Sequence, residues 1–302
     1  MSSVSRYHVR HDTLYRYGAE VRHSQQLFHL VPRPSAYQQC LEHTLHLVPE
    51  PAYRSQSLDA FGNPITRVEF ETPHRELRVT SELQVEVYGR PAVPADASHA
   101  WERVAGALAY HGPRPGQTDL EVCRFRFESP YVRVQHAFTD FGAACFEAGR
   151  PVLSCASDLM HTLYRELRYA PGQTSVATPL TEVLAKRHGV CQDFAHLMIA
   201  CLRSRGLAAR YVSGYVRVPT DDEAPGAPLR GAGASHAWVA VYSPPFGWIE
   251  LDPTNDCWVG SEHVAVAWGR DFGDVSPVRG IILGGGSHEL AVDVTVEPGA
   301  HI

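Results

Sequence analysis

Residues 77–88, LRVTSELQVEVY, alternate apolar and polar side chains along most of their length. An extended strand sorts such a run into one apolar and one polar face, because successive side chains point to opposite sides. The same period of two recurs in CLEHTLHLV (40–48) and ITRVEF (65–70), behind β-prone stretches in YHVRHDTLYRY (7–17). Turn-forming PEP and DAFGNP separate the runs. The pattern predicts an antiparallel β domain over about 4–90, followed by a Pro-, Ala- and Gly-rich linker, GRPAVPADAS, at 89–98.

After residue 150 the period changes. In PVLSCASDLMHTLYRELRY (151–169), Leu153, Leu159, Leu163 and Leu167 fall near helical spacing. A second helix is expected from Thr178 as N-cap, with Pro179 at the first helical position and Gly189 as the stop. A third runs from Cys191 to Arg205, with one apolar stripe of Phe194, Leu197, Met198, Cys201 and Leu202 and a C-terminal Gly206. Strands are expected at 209–218, 236–243 and 247–252, with a flexible loop at 219–234. RGIILGGGSHELAVDVTVEP (279–298) reads as two strands around a glycine-rich hairpin turn. Helices clustered ahead of strands indicate an α+β fold rather than alternating βα units. The division is 1–95 for the β domain, 96–150 for a connecting, partly helical segment, and 151–302 for a core with a C-terminal hairpin.

Composition narrows the function. A chain of 302 residues, 44% hydrophobic and 20% charged, can bury a sizeable core. Its net charge of −6 gives no electrostatic footing for nucleic acid. The polar start lacks the apolar stretch of a signal peptide, and no window approaches 18 unbroken apolar residues. A cytoplasmic protein with no membrane partner is expected. Seven cysteines include no CxxC pair, so six read as reduced core thiols and no structural zinc site is signalled.

The seventh, Cys191, stands where a loop becomes a helix. Free N–H groups and the positive end of the helix dipole stabilise a thiolate there, and the thiolate is the nucleophile. Acyl transfer also needs a base and a group that orients it. His236 opens HAWVAVYS and Asp252 closes GWIELD, so adjacent strands can bring them side by side. An aspartate accepting from one ring nitrogen leaves the other facing sulfur. Asn255, Asp256 and Glu250 compete with Asp252. Glu250 is set aside as facing the opposite way to its strand neighbours, Asp256 as lying beyond the turn. Asp193 is expected to stabilise the helix start. His188 and His196 flank the nucleophile without metal-ligand spacing. Trp238 and Trp248 read as core or cleft wall. The Cys191 N–H is the natural first oxyanion donor, and Gln192, Tyr169 and Gln173 are candidates for the second.

HGVCQDFAHLMIACLRSRGLAARYVSGYV and SHAWVAVYSPPFGWIELDPTND resemble bacterial transglutaminase-like proteins of the candidate cysteine protease type. GRDFGDVSPVRGIILGGGSHEL fits the same subgroup, and YHVRHDTLYRY, HSQQLFHLVPRP and DAFGNPITRVEF look like its N-terminal β region. The resemblance implies a papain-like core with a Cys-His-Asp triad at Cys191, His236 and Asp252. It implies an acyl-thioester enzyme that cleaves peptide, amide or isopeptide bonds. Transfer to an amine by the same triad, and a non-catalytic scaffold, remain alternatives. No cofactor is implied; PTDDEAPG is too short and proline-broken for a calcium loop.

Overall fold

The period-two runs do form strands, but the first is far longer than its separate β-prone stretches suggest. In the computed structural model, which describes residues 4–109, 117–218, 230 and 233–299, β1 runs unbroken over Val4–Phe28. β2 (Gln38–Val48), β3 (Tyr53–Leu58), β4 (Pro64–Phe70) and β5 (His74–Tyr88) follow. β5 and then β4 lie end to end, antiparallel, along one flank of β1; β2 pairs with β5 and β3 with β4.

Three short helices, α1 (Trp101–Ala107), α2 (Gln117–Cys123) and α3 (His136–Phe141), lead into α4 (Val152–Glu166). β6 (Arg168–Tyr169), α5 (Leu180–Lys186), β7 (His188–Gly189) and α6 (Cys191–Ser204) come next. A second antiparallel sheet has β8 (Ala209–Val216), β9 (His236–Ser243), β10 (Gly247–Asp252), β11 (Cys257–Trp258) and β12 (His263–Gly269) in the order β11-β10-β9-β8-β12. The fold is α+β, as the pattern predicts. Two local expectations shift. Pro179, not Thr178, is the N-cap of α5, and the Thr178 hydroxyl instead accepts from the Ser175 N–H. And α6 is buried from Asp193 to Arg203 on every face, not along one stripe. It is enclosed by β8 and β9 and by α3, α4 and α5.

After α7 (Phe272–Val275), the chain returns to β1 as β13 (Val278–Gly284) and β14 (His288–Pro298). These are not a hairpin. Both pair with β1, Phe28↔Val278 through Val21↔Gly284 and then Tyr17↔His288 through Tyr7↔Pro298. They form one strand, interrupted where Gly284, Gly285 and Gly286 all take positive φ, a region costly for side-chain-bearing residues. The ladder survives the break through Gly18 N–H to Ser287 O at 2.7 Å and Ala19 N–H to Gly285 O at 2.9 Å. The expected C-terminal hairpin of the core is thus part of the N-terminal sheet.

The two sheets share one core. Tyr7, Val9, Leu83 and Val85 of the first pack with Leu159, Leu197, Val239 and Val264 of the second half. Polar links cross the seam: Gln38 Nε2 donates to Ala265 O at 2.5 Å, and the Ala265 N–H donates to Gln38 Oε1 at 2.9 Å. The N-terminal sheet also touches the approach to β9, where the Val294 N–H donates to Gly233 O at 3.3 Å.

Candidate active site

Cys191 is the first residue of α6 and is half-buried. The lead-in is rigid: β6 and β7 pair in parallel, Tyr169 beside Gly189, two residues before the thiol. Gly189 is required there, because a Cβ would lie 2.6 Å from Asp193 Oδ2. That carboxylate accepts from the Val190 N–H at 2.8 Å and from Thr174 Oγ1 at 2.7 Å, so Asp193 caps the helix that carries Cys191. Burial pushes the Asp193 pKa up.

His236 begins β9 and Asp252 ends β10, and both are buried. Leu251 pairs with Val239, so His236 and Asp252 are diagonal neighbours across the ladder. Nε2 of His236 lies 2.7 Å from Asp252 Oδ2. A carboxylate only accepts, so Nε2 carries the proton and Nδ1 is the nitrogen left for sulfur. Nδ1 is buried with no hydrogen-bond partner. The thiol approaches the Ser235 carbonyl, at 4.0 Å, on the residue just before His236. Burial alone would lower the His236 pKa, but the charge and hydrogen bond of Asp252 outweigh it, and the nearby Cys191 adds to the rise. Asp252 is depressed far below the usual carboxylate range: burial opposes this, and His236 followed by His263 overcomes it.

Period two places Glu250 on the same face as Asp252, contrary to the basis on which it was set aside. What separates them is their partners. Glu250 accepts from Trp238 Nε1 at 2.7 Å and pairs with Arg90 at 3.0 Å. Asp256 has φ +55 and pairs with His161. Asn255 supports Asp252 rather than replacing it, its Nδ2 donating to Oδ2 at 2.7 Å and its N–H approaching Oδ1 at 3.2 Å. The Thr254 N–H donates to Oδ1 at 2.9 Å.

Sequence reasoning missed His263. It opens β12, and its Nε2 sits 3.2 Å from Asp252 Oδ2. Its signal was a second strand-opening histidine, like His236, downstream of the DPTND turn. His236, Asp252 and His263 form the cluster among the described residues that has metal-binding groups. The 2.7 and 3.2 Å separations are hydrogen bonds, so both histidines meet on Asp252 Oδ2. His188 is half-exposed and its Nδ1 lies 3.1 Å from Lys186 O. His196 is buried, accepts the Phe272 N–H at 3.1 Å through Nε2, and stacks on Tyr131. Trp238 is fully buried against Gly214, while Trp248 carries Arg210 on its face at 3.7 Å.

Of the second oxyanion candidates, Tyr169 is beside Cys191. Burial raises its pKa, and the neighbouring Cys191 adds to this. Gln192 is half-buried on α6, and Gln173 is exposed in the turn after β6, its N–H directed to Ala170 O at 3.4 Å. A cavity of about 460 Å³ lined by Tyr37, Arg90, Phe246, Glu250 and Trp258 does not include Cys191, His236 or Asp252. Among the described residues no disulfide is formed, and no helix is long and apolar enough to cross a membrane.

Residues 7–86 match the family described as bacterial transglutaminase-like N-terminal region, and residues 143–253 match the transglutaminase-like superfamily. The second match contains Cys191, His236 and Asp252. An uncharacterized protein of Mycobacterium tuberculosis (strain ATCC 25618 / H37Rv) is 38% identical over 98% of this chain and 93% of its own length. One from Mycobacterium leprae (strain TN) is 32% identical over 97% of this chain and 98% of its own length. A Pseudomonas aeruginosa protein-glutamine gamma-glutamyltransferase is 36% identical, but over 22% of this chain and 10% of its own length. A candidate cysteine protease from Cytophaga hutchinsonii, solved by crystallography, shares the fold with a TM-score of 0.73 at 18% identity, over 100% of this chain and 93% of that one.

Proposed function

The chain belongs to the transglutaminase-like superfamily, and from that premise we propose a cysteine-dependent acyl-transfer enzyme that hydrolyses peptide, amide or isopeptide bonds. The observation that carries this reading is the buried His236–Asp252 pair, 2.7 Å apart, with Nδ1 unpartnered beside a thiol at a helix start. The Cys191 thiolate attacks the carbonyl carbon and forms the C–S bond. The carbonyl electrons move to oxygen, held by the Cys191 N–H and, in this reading, by the Tyr169 hydroxyl rather than Gln192 or Gln173. His236, protonated while Asp252 stays ionised, gives its Nδ1 proton to the leaving amine as the C–N bond breaks. Water then attacks the thioester as His236 takes its proton, releasing the acid and the thiol.

The same thioester passes to an amine if an amine reaches it before water. The names of the Cytophaga and Pseudomonas proteins represent these two outcomes. Hydrolysis is the preferred reading, because an unrestrained cross-linker would be harmful inside a cell. The test is a peptide-amide library in H₂¹⁸O with and without a labelled primary amine. Hydrolysis puts ¹⁸O into a new carboxylate, transfer puts the label on the acyl group, and both stop in Cys191→Ala. A protein that does neither, with Cys191 no more reactive to alkylation than an ordinary exposed thiol, has a scaffold role instead.

A further inference from the structure

Arg230 lies in the segment before β9 and is tied to the triad through a single side chain. Its N–H donates to Asn255 Oδ1 at 2.6 Å, and its carbonyl accepts from Asn255 Nδ2 at 3.2 Å. That same Nδ2 donates to Asp252 Oδ2 at 2.7 Å and lies 3.3 Å from His236 Nε2. The guanidinium sits over the rings of Tyr164 at 4.9 Å and Tyr169 at 5.8 Å. Tyr169 pairs with Gly189 ahead of the nucleophile, and its phenol feels both Cys191 and Arg230. Tyr169 is therefore the neighbour that Arg230 and Cys191 share.

Among the described residues the environment of this guanidinium is incomplete. Nη1 is buried without a hydrogen-bond partner, and among the described residues no carboxylate pairs with it. Arg6, Arg90, Arg150 and Arg270 each have one. Aromatic rings cover a guanidinium by its faces and leave the in-plane N–H edge free, and that edge matches the two oxygens of a carboxylate. A buried donor left unmade is costly, so a ligand that completes it is favoured.

We propose that Arg230 is a specificity-determining residue that binds a carboxylate carried by the substrate close to the bond Cys191 attacks. The substrate class is then an acidic peptide or amide, with either a free α-carboxylate or an Asp or Glu side chain beside the scissile bond. This rests on the acyl-transfer reading for the word substrate; the anion site itself does not.

The test uses two small alkylating reagents of nearly equal size on the full-length protein. Iodoacetate carries the carboxylate and iodoacetamide does not. The ratio of their rates at Cys191, read by intact mass at low salt, reports the charge seen at the sulfur. In Arg230→Gln the ratio is expected to fall about five- to tenfold, and in Arg230→Lys to stay nearer wild type. The difference should shrink at high salt. Short peptides ending in Glu or Gln, as acid or amide, then serve as protectants against iodoacetamide. Protection that follows the terminal acid identifies an α-carboxylate, and protection that follows Glu identifies a side chain. An unchanged ratio in Arg230→Gln overturns the proposal while leaving Cys191 as a nucleophile. Slow labelling of Cys191 by both reagents would instead overturn the enzymatic reading.

Discussion

Asp252→Asn preserves shape but reverses what the site needs. The native carboxylate is surrounded by donors: His236 Nε2, Asn255 Nδ2 and His263 Nε2 at Oδ2, and the Thr254 and Asn255 N–H groups at Oδ1. An amide presents an NH₂ on one side, so in either orientation at least two buried donors face a donor. At about 1–3 kcal/mol per buried unsatisfied group, the change costs roughly 2–6 kcal/mol. It also removes the charge that raises the His236 pKa, leaving burial, which lowers it. The sign follows from proton counting. With a raised folded pKa, His236 stabilises the native state fully below its unfolded value near 6.5 and loses that contribution as pH rises toward the folded value. The advantage of Asp over Asn should therefore be largest near pH 6 and should shrink above it. The limit is about 1.4 kcal/mol per pH unit for one proton. Urea denaturation from pH 5.5 to 9, with both proteins in a Cys191→Ala background so that only the change at residue 252 is compared, measures the difference. A difference that stays constant over that range would refute the claim that Asp252 holds the proton on His236.

Three further outcomes are expected. Gly214→Ala would set a Cβ 2.1 Å from Val264 O and 2.5 Å from Trp238 Cη2; it should destabilise by at least about 1–3 kcal/mol, visible as a lowered Tm. Arg203 is buried and donates to Phe125 O, Ser129 Oγ, Ala209 O and Arg270 O at 2.7–3.1 Å; Arg203→Met orphans those acceptors and should cost about 3–5 kcal/mol in urea, whereas a loss under 1 kcal/mol would contradict their role. Burial lowers the His11 pKa to about 4 and the His196 pKa to about 3. The unfolded chain therefore binds more protons between those values and 6.5, and stability should fall as pH drops through that window; His196→Gln should flatten the fall.

The α+β class and the positions of Cys191, His236 and Asp252 at element ends were legible because they depend on local periodicity and on residue type. Cys191 at the start of a strongly apolar helix, and His236 and Asp252 at strand ends, lie where a linear pattern places them. The fate of 279–298 was not legible. Two strands around three glycines read the same whether they fold on each other or both lie along a third. β1 decides, since its 25 residues provide a partner long enough for both. His263 and Arg230 were equally hidden. Their roles exist through Asp252 and Asn255, residues distant in sequence or across a turn. Sequence by itself determined which side chains could be a nucleophile, a base and its partner, because that is fixed by chemistry and by the periods of helix and strand. The tertiary structure alone decided which donors crowd the carboxylate, which nitrogen is left for sulfur and which cation lacks a counter-charge among the described residues. Those are distances between segments far apart in the chain, and no local period encodes them.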